Sequence, residues 1–253
     1  MKVSHYHCLI VLLVSLCSQV HAAEIRVAAA SNLRYVLPEL AKQFEYDTGH
    51  QVALTYAASG TLTTQIKHGA PFDVFMAAHT DYIERLIKSK LTQGNALTYA
   101  QAQLVLFLPH HSKLAVEDGI QSLKVALDQN QLRKVAIANP RHAPYGQAAM
   151  RELQAIGVWQ QIQPYLLFAE NASQVAQFSL STSVDAGFIP YSHIIQPALS
   201  SKGQYILLET RLPQQAVVVR GASEYAEQFL TFLQTELAGD SLIKHGFILP
   251  ADE

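Results

Sequence analysis

Beyond residue 22 this chain contains no cysteine. Its two thiols, Cys8 and Cys17, both fall in an N-terminal apolar run, so the remainder holds neither a disulfide framework nor a thiol nucleophile. Strong charge is missing as well. Removing residues 1–22 takes away one cation, Lys2, and moves the net charge from −2 to −3. That balance gives no basis for binding nucleic acid or an anionic membrane. The later histidines (His50, His68, His79, His110, His111, His142, His193 and His245) form no His-x-x-x-His pair, so the pattern offers no metal site. The chain also has no Gly-x-Ser-x-Gly elbow, Walker-type loop or Gly-x-Gly-x-x-Gly turn, which removes the commonest nucleophile and nucleotide signatures. Low-complexity linkers, charge runs and internal repeats are absent too.

What stands at the start reads as a cleaved export signal covering residues 1–22. Lys2 gives a weak basic region, Cys8 to Leu16 an apolar stretch, and Val20-His21-Ala22 ends in a small residue suited to cleavage. A membrane anchor needs roughly 20 continuous apolar residues, and Ser15, Ser18, Gln19 and His21 cut the run short. Lipidation at Cys17 is disfavoured because Leu16 precedes it where a small residue is required. The expectation is a periplasmic protein of about 230 residues, large enough to rely on its core without disulfides.

In the remaining chain, strand-like and helix-like segments alternate, the pattern of an α/β fold. Two early junctions share one design. Ile25 to Ala30 runs into Ser31-Asn32, and Val52 to Ala58 runs into Ser59-Gly60-Thr61. Each apolar strand meets a hydroxyl residue where a helix should begin. The unpaired N–H groups and partial positive charge of a helix start favour an anion there. Neither Ser-containing turn holds a Lys or Arg to pair with an anion, nor an Asp or Glu to accept a proton from one. Such junctions suit a fully ionised oxyanion and disfavour phosphate, which keeps a proton near neutral pH. Ser31 and Ser59 also read as plain helix N-caps, as does Asn171. Further on, Gln103–Leu108 and Gln215–Val219 read as apolar strands that cross between two lobes, with a helix from about Glu224 to Leu237 after the second. The lobes are then residues 23–102 with 220–253, and residues 103–219, with a cleft between them.

With these segments in place, the chain resembles the periplasmic molybdate-binding proteins of ABC importers. The resemblance rests on an ordered set of short motifs: Ala28-Ala29-Ala30-Ser31, Thr48-Gly49-His50, Ala57-Ala58-Ser59-Gly60-Thr61-Leu62, Gly69-Ala70-Pro71-Phe72-Asp73-Val74-Phe75, Ala138-Asn139-Pro140, Ala143-Pro144-Tyr145-Gly146, Ala169-Glu170-Asn171, Ala186-Gly187-Phe188 and Gly246-Phe247. It implies a two-lobed type II periplasmic binding protein, each lobe a mixed sheet flanked by helices. It also implies a molybdate ligand, usually with tungstate, and a membrane permease as partner. No cofactor, no nucleic acid and no catalysis are expected, and the protein is expected to be a monomer. The implied contacts are hydroxyl and N–H groups of Ser31 with Asn32, and of Ser59 with Gly60 allowing close backbone approach. Main-chain N–H groups at Tyr145 and Ala172 complete the four loops, so molybdate would touch Ser31, Ser59, Tyr145 and Ala172. Some members place a tyrosine where this chain has Pro190. Either Tyr191, one step later, substitutes with a shifted backbone, or the shell lacks that hydroxyl. Two alternatives stay open: a binder of another oxyanion such as sulfate, and a hydrolase or transferase whose base, His142 or His193, is brought to the cleft by folding.

Overall fold

The computed structural model describes residues 24–250, so the expected export signal with Cys8 and Cys17 lies outside the described residues. In chain order the elements are β1 (Glu24–Ala30), a 3-10 turn (Ser31–Leu33), α1 (Leu37–Thr48), β2 (Gln51–Ala57), α2 (Ser59–Lys67), β3 (Val74–Ala77), α3 (Thr80–Lys88) and β4 (Thr92–Pro109). Then come α4 (Ser122–Asp128), β5 (Val135–Ala138), α5 (Pro144–Ala155), α6 (Trp159–Ile162), β6 (Leu166–Ala169), α7 (Ala172–Phe178), β7 (Ala186–Pro190), α8 (Tyr191–Ile194) and α9 (Pro197–Ser200). The chain closes with β8 (Gly203–Val219), α10 (Ala226–Phe232) and α11 (Glu236–Lys244).

Local chemistry accounts for these boundaries. Pro38 sits in the first turn of α1, where its missing N–H costs nothing, and the tighter Ser31–Leu33 turn precedes it. Gly49 ends α1 with φ 75° and donates to the Glu45 carbonyl, a left-handed cap that favours glycine. Asn171 caps α7 by accepting from the Gln174 N–H at 3.1 Å. The short strands β3, β5 and β7 are buried along their whole length, as expected of apolar runs covered on both faces.

All eight strands form one mixed sheet in the order β2-β1-β3-β8-β4-β7-β5-β6. β1 pairs in parallel with β2 and β3, and β5 in parallel with β6 and β7. β3 pairs antiparallel with β8, β7 antiparallel with β4, and the two long strands antiparallel with each other. The sheet therefore reads the same from either edge, with β2 matching β6, β1 matching β5, β3 matching β7 and β8 matching β4. An ion pair repeats at the same place in each half. The Asp73 carboxylate accepts from the Arg26 N–H at 2.8 Å and Nε at 3.0 Å. That of Asp185 accepts from the Arg133 N–H at 2.7 Å and Nε at 2.8 Å. The repetition lies in the fold and not in the residues, which is why no repeat is visible in sequence.

Four elements differ from expectation. β4 and β8 extend well beyond their apolar parts, pairing from Thr92↔Val219 to Pro109↔Gly203 with three register shifts. Their extensions are half-exposed and polar, so they lack a continuous apolar signal. β6 is a four-residue edge strand with mixed burial, too short and too exposed to show in a pattern. The expected helix over 224–237 is two helices, because Thr235 turns outward and caps α11 by accepting from Ala238 N–H. α11 packs back on α1, where Lys244 reaches Glu39 at 3.1 Å, and Phe44 of α1 meets Phe229 of α10 edge-on at 5.2 Å.

Candidate functional site

The ends of β1, β2, β5 and β6 lead into four helical starts, and these converge. Ser31, Asn32, Ser59, Tyr145 and Ala172 line one cavity, with Ala30, Ala57, Ala58, Ala78, Ala143 and Pro144 filling its walls. The cavity is tight, with a volume of about 10 Å³, far below the roughly 300–1,000 Å³ of sites for drug-sized ligands. No acidic or basic side chain is among the lining residues. The small alanines let the backbone itself form the surface.

Neither serine is a helix N-cap. Ala30 and Ala58 occupy the capping positions, and Ser31 and Ser59 are the first helical residues. The Ser59 hydroxyl oxygen accepts from the Ala78 N–H at 3.1 Å, which leaves its proton to be donated elsewhere. Ser31 Oγ makes no hydrogen bond among the described residues. Both serines are at least 97% buried. The first N–H groups of a helical turn have no partner within the turn. The site thus presents hydroxyl donors from the β1 and β2 junctions and N–H donors from all four.

Asn32 lines the cavity, and its side chain is anchored to β8. Its Nδ2 donates to Gln214 Oε1 at 2.9 Å, and its carbonyl accepts from Ser192 Oγ at 2.9 Å, so the side chain is tied behind the site. The Tyr145 hydroxyl is buried beside that side chain without a well-aligned bond to it. Burial pushes its ionisation far above the ordinary tyrosine value, and Asn32 offsets only part of this. The tyrosine is a neutral wall at any ordinary pH.

Two expected residues do not reach the cavity wall. Gly60 does allow a close approach, but to the opposite loop. Its N–H donates to the His142 carbonyl at 2.9 Å, and a Cβ there would sit 2.6 Å from that oxygen. Tyr191 begins α8 and turns toward Tyr205, with ring centroids 5.9 Å apart; it is not among the lining residues. His142 is also outside the lining, and its Nε2 lies 3.0 Å from the Glu170 carbonyl. Sequence reasoning missed Ala78, Ser173 and Ser192 and named His193 only as a possible base; all four support the site from other elements. Nothing local marks them, because each works through a contact far away in the chain.

A match to the bacterial extracellular solute-binding protein family spans residues 25–248. The chain is 32% identical over 231 residues to the molybdate-binding protein ModA of Rhodobacter capsulatus, covering 90% of this chain and 89% of that protein. It is 34% identical over 174 residues to the ModA of Azotobacter vinelandii, covering 68% of this chain and 67% of that one. In three dimensions it is similar to the Azotobacter vinelandii periplasmic molybdate-binding protein, with a TM-score of 0.80 and 31% identity over 89% of this chain and 99% of that one.

Proposed function

The chain belongs to the bacterial extracellular solute-binding protein family, and from that premise we propose that it captures molybdate in the periplasm and delivers it to the permease of an ABC importer. The family consists of binding proteins and not enzymes. The observation that carries the reading is the convergence of Ser31, Asn32, Ser59, Tyr145 and Ala172 on one small cavity whose lining holds no charged side chain. A tetrahedral dianion leaving water must regain its hydrogen bonds, and donors to a charged acceptor contribute roughly 1.5–3 kcal/mol each. Four loops offering hydroxyl and N–H groups meet that need. An acidic wall would favour a protonated ligand, so its absence supports molybdate over phosphate. Tungstate has the same shape and charge and is proposed as a second ligand.

In this reading residues 1–22 direct export and are removed. Residues 23–102 with 220–253 form one lobe, and residues 103–219 the other. The lobes close on the anion as β4 and β8 flex, and the closed monomer docks on the permease. Thermal melting with molybdate, tungstate, sulfate and phosphate tests the proposal, since a ligand bound to the native state raises the melting temperature. Molybdate and tungstate should raise it at micromolar concentration, and phosphate should not. A larger shift with sulfate would assign the site to the smaller ion instead.

A further inference from the structure

Behind the cavity, the Ser31 carbonyl is held by side chains from the other half of the sheet. It accepts from Ser173 Oγ on α7 at 3.1 Å and faces His193 Nε2 on α8 at 3.2 Å. Arg34 Nε reaches the same Ser173 hydroxyl at 3.3 Å. A peptide is planar and trans, so its C=O and the following N–H point in opposite directions. Fixing the Ser31 carbonyl therefore aims the Asn32 N–H away from α7 and α8. Asn32 lines the cavity, and donors on a carbonyl also strengthen the N–H of that peptide as a donor. We propose that His193 and Ser173 are positioning residues for anion capture, clamping the Ser31–Asn32 peptide from across the cleft so that its N–H points at the bound oxyanion. The inference rests on the binding reading above.

The clamp sets a requirement on His193. A carbonyl only accepts, so Nε2 must carry the ring proton. Nδ1 is then buried without a hydrogen-bond partner. A second proton there would be an unpaired charge in a residue only 1% exposed. Burial, with a smaller push from the Arg34 guanidinium, outweighs the hydrogen bond to the Ser31 carbonyl and holds the ring's ionisation down to about 4. Around it, Tyr35 stands edge-on with ring centroids 5.1 Å apart. β7 and α9 contain no ionisable residue, β4 contains only Tyr99, and Tyr191 on the same helix faces Tyr205. Once the clamp opens, the ring can take up a proton in its ordinary range near 6.5, so acid favours the released state. Against a folded value of about 4, affinity should fall by up to about thirtyfold between pH 7.5 and pH 5.

Calorimetric titration of molybdate at pH 7.5 and pH 5 tests this on the wild type, His193→Gln, His193→Phe and Ser173→Ala. His193→Phe keeps a ring but removes the donor, and should weaken binding at pH 7.5 by several-fold to about tenfold. His193→Gln retains an N–H donor and should recover most of that loss. Both should lose the acid dependence, whereas Ser173→Ala should weaken binding a few-fold and keep it. Should His193→Phe fail to fold by circular dichroism, the other two variants decide. A His193→Gln protein with the wild-type acid dependence overturns the clamp. Equal affinities in wild type and Ser173→Ala overturn the part given to Ser173. If the wild type binds no molybdate, the function reading falls and the clamp with it.

Discussion

Replacing Gly60 with alanine should cripple binding without touching the ligand. A Cβ at this position would lie 2.6 Å from the His142 carbonyl oxygen, 2.8 Å from its Cα and 2.9 Å from its Cβ. Ordinary contact begins near 3.4 Å, so the two loops must part by up to about 0.8 Å. Both sides of the contact are anchored in backbone, and neither can swing away cheaply. The Gly60 N–H to His142 carbonyl bond, 2.9 Å long, is lost with it. Overpacking costs about 1–3 kcal/mol and the hydrogen bond about 0.5–1.5 kcal/mol. The sum is about 1.5–4.5 kcal/mol, and its central part, about 2–4 kcal/mol, corresponds to a Kd raised between about thirtyfold and just under a thousandfold. The contact joins the α2 start to the loop before α5, so its cost should fall on the closed, liganded form. Calorimetric titration with molybdate gives the affinity, and melting of the ligand-free variant gives the fold's share. In a domain of this size each kcal/mol of fold stability moves Tm by about 2–4 °C. A ligand-free Tm within about 2 °C of wild type, with the predicted loss of affinity, is the expected pair. Unchanged affinity would refute the reasoning, and a fall of about 4–16 °C in ligand-free Tm would show the contact to be part of the fold and not of closure.

Ser31→Ala and Ser59→Ala should each weaken molybdate binding by roughly 1.5–3 kcal/mol in titration, the scale of one donor to a charged acceptor. Ser59→Ala should also lower the ligand-free Tm, because the Ala78 N–H loses its acceptor. Tyr145→Phe should leave Kd within about twofold and Tm unchanged or raised, since the hydroxyl it removes is buried with no aligned partner. For Asp73, burial pushes the carboxyl up, but hydrogen bonds from the Arg26 side chain and from the Arg26 and Ser223 N–H groups outweigh it and hold the group below its ordinary 3.8. A depressed carboxyl contributes stability above its unfolded value that is lost as pH falls through the folded one. Asp73→Asn should therefore melt lower at pH 7, and lose less stability than wild type on acidification below about pH 4.

The first half of the site was open to reading because its signals are local. Ser31 and Ser59 each follow an apolar strand directly, so strand, hydroxyl and helix start appear in a few consecutive letters. Ala172 and Tyr145 carry no such mark. They matter through main-chain N–H groups that any residue possesses, and only the motif order of the family resemblance picked them out. Gly60 reads in the sequence as a place where the backbone meets the oxyanion, whereas the structure brings the His142 carbonyl to it. Tyr191 shows the opposite limit: the sequence leaves its ring open to the cavity, and the structure turns it toward Tyr205. The long strands were half legible, because apolar runs appear only where both faces are covered. His193 was left among the possible bases since its role depends on a carbonyl 162 positions away.

The palindromic sheet has a consequence for the shape of what it can hold. Matching β1 with β5 and β2 with β6 pairs the Ser31 junction with that of Tyr145, and the Ser59 junction with that of Ala172. By strand order the four junctions fall into two couples, each with one member from either half of the sheet, the arrangement of a pseudo-two-fold fold. A tetrahedral oxyanion has its own two-fold axes, each dividing its oxygens into two couples on opposite sides. Laid axis on axis, such an anion would turn one oxygen to each junction. A carboxylate has only two oxygens, both on one side, and would leave one couple of junctions, one from each half, without an oxygen to face. Shape selection in this protein thus begins at the level of strand order, before any side chain is chosen. The side chains then break the symmetry: serines line the cavity from one half only, so in the proposed complex two of the four oxygens would gain a side-chain donor.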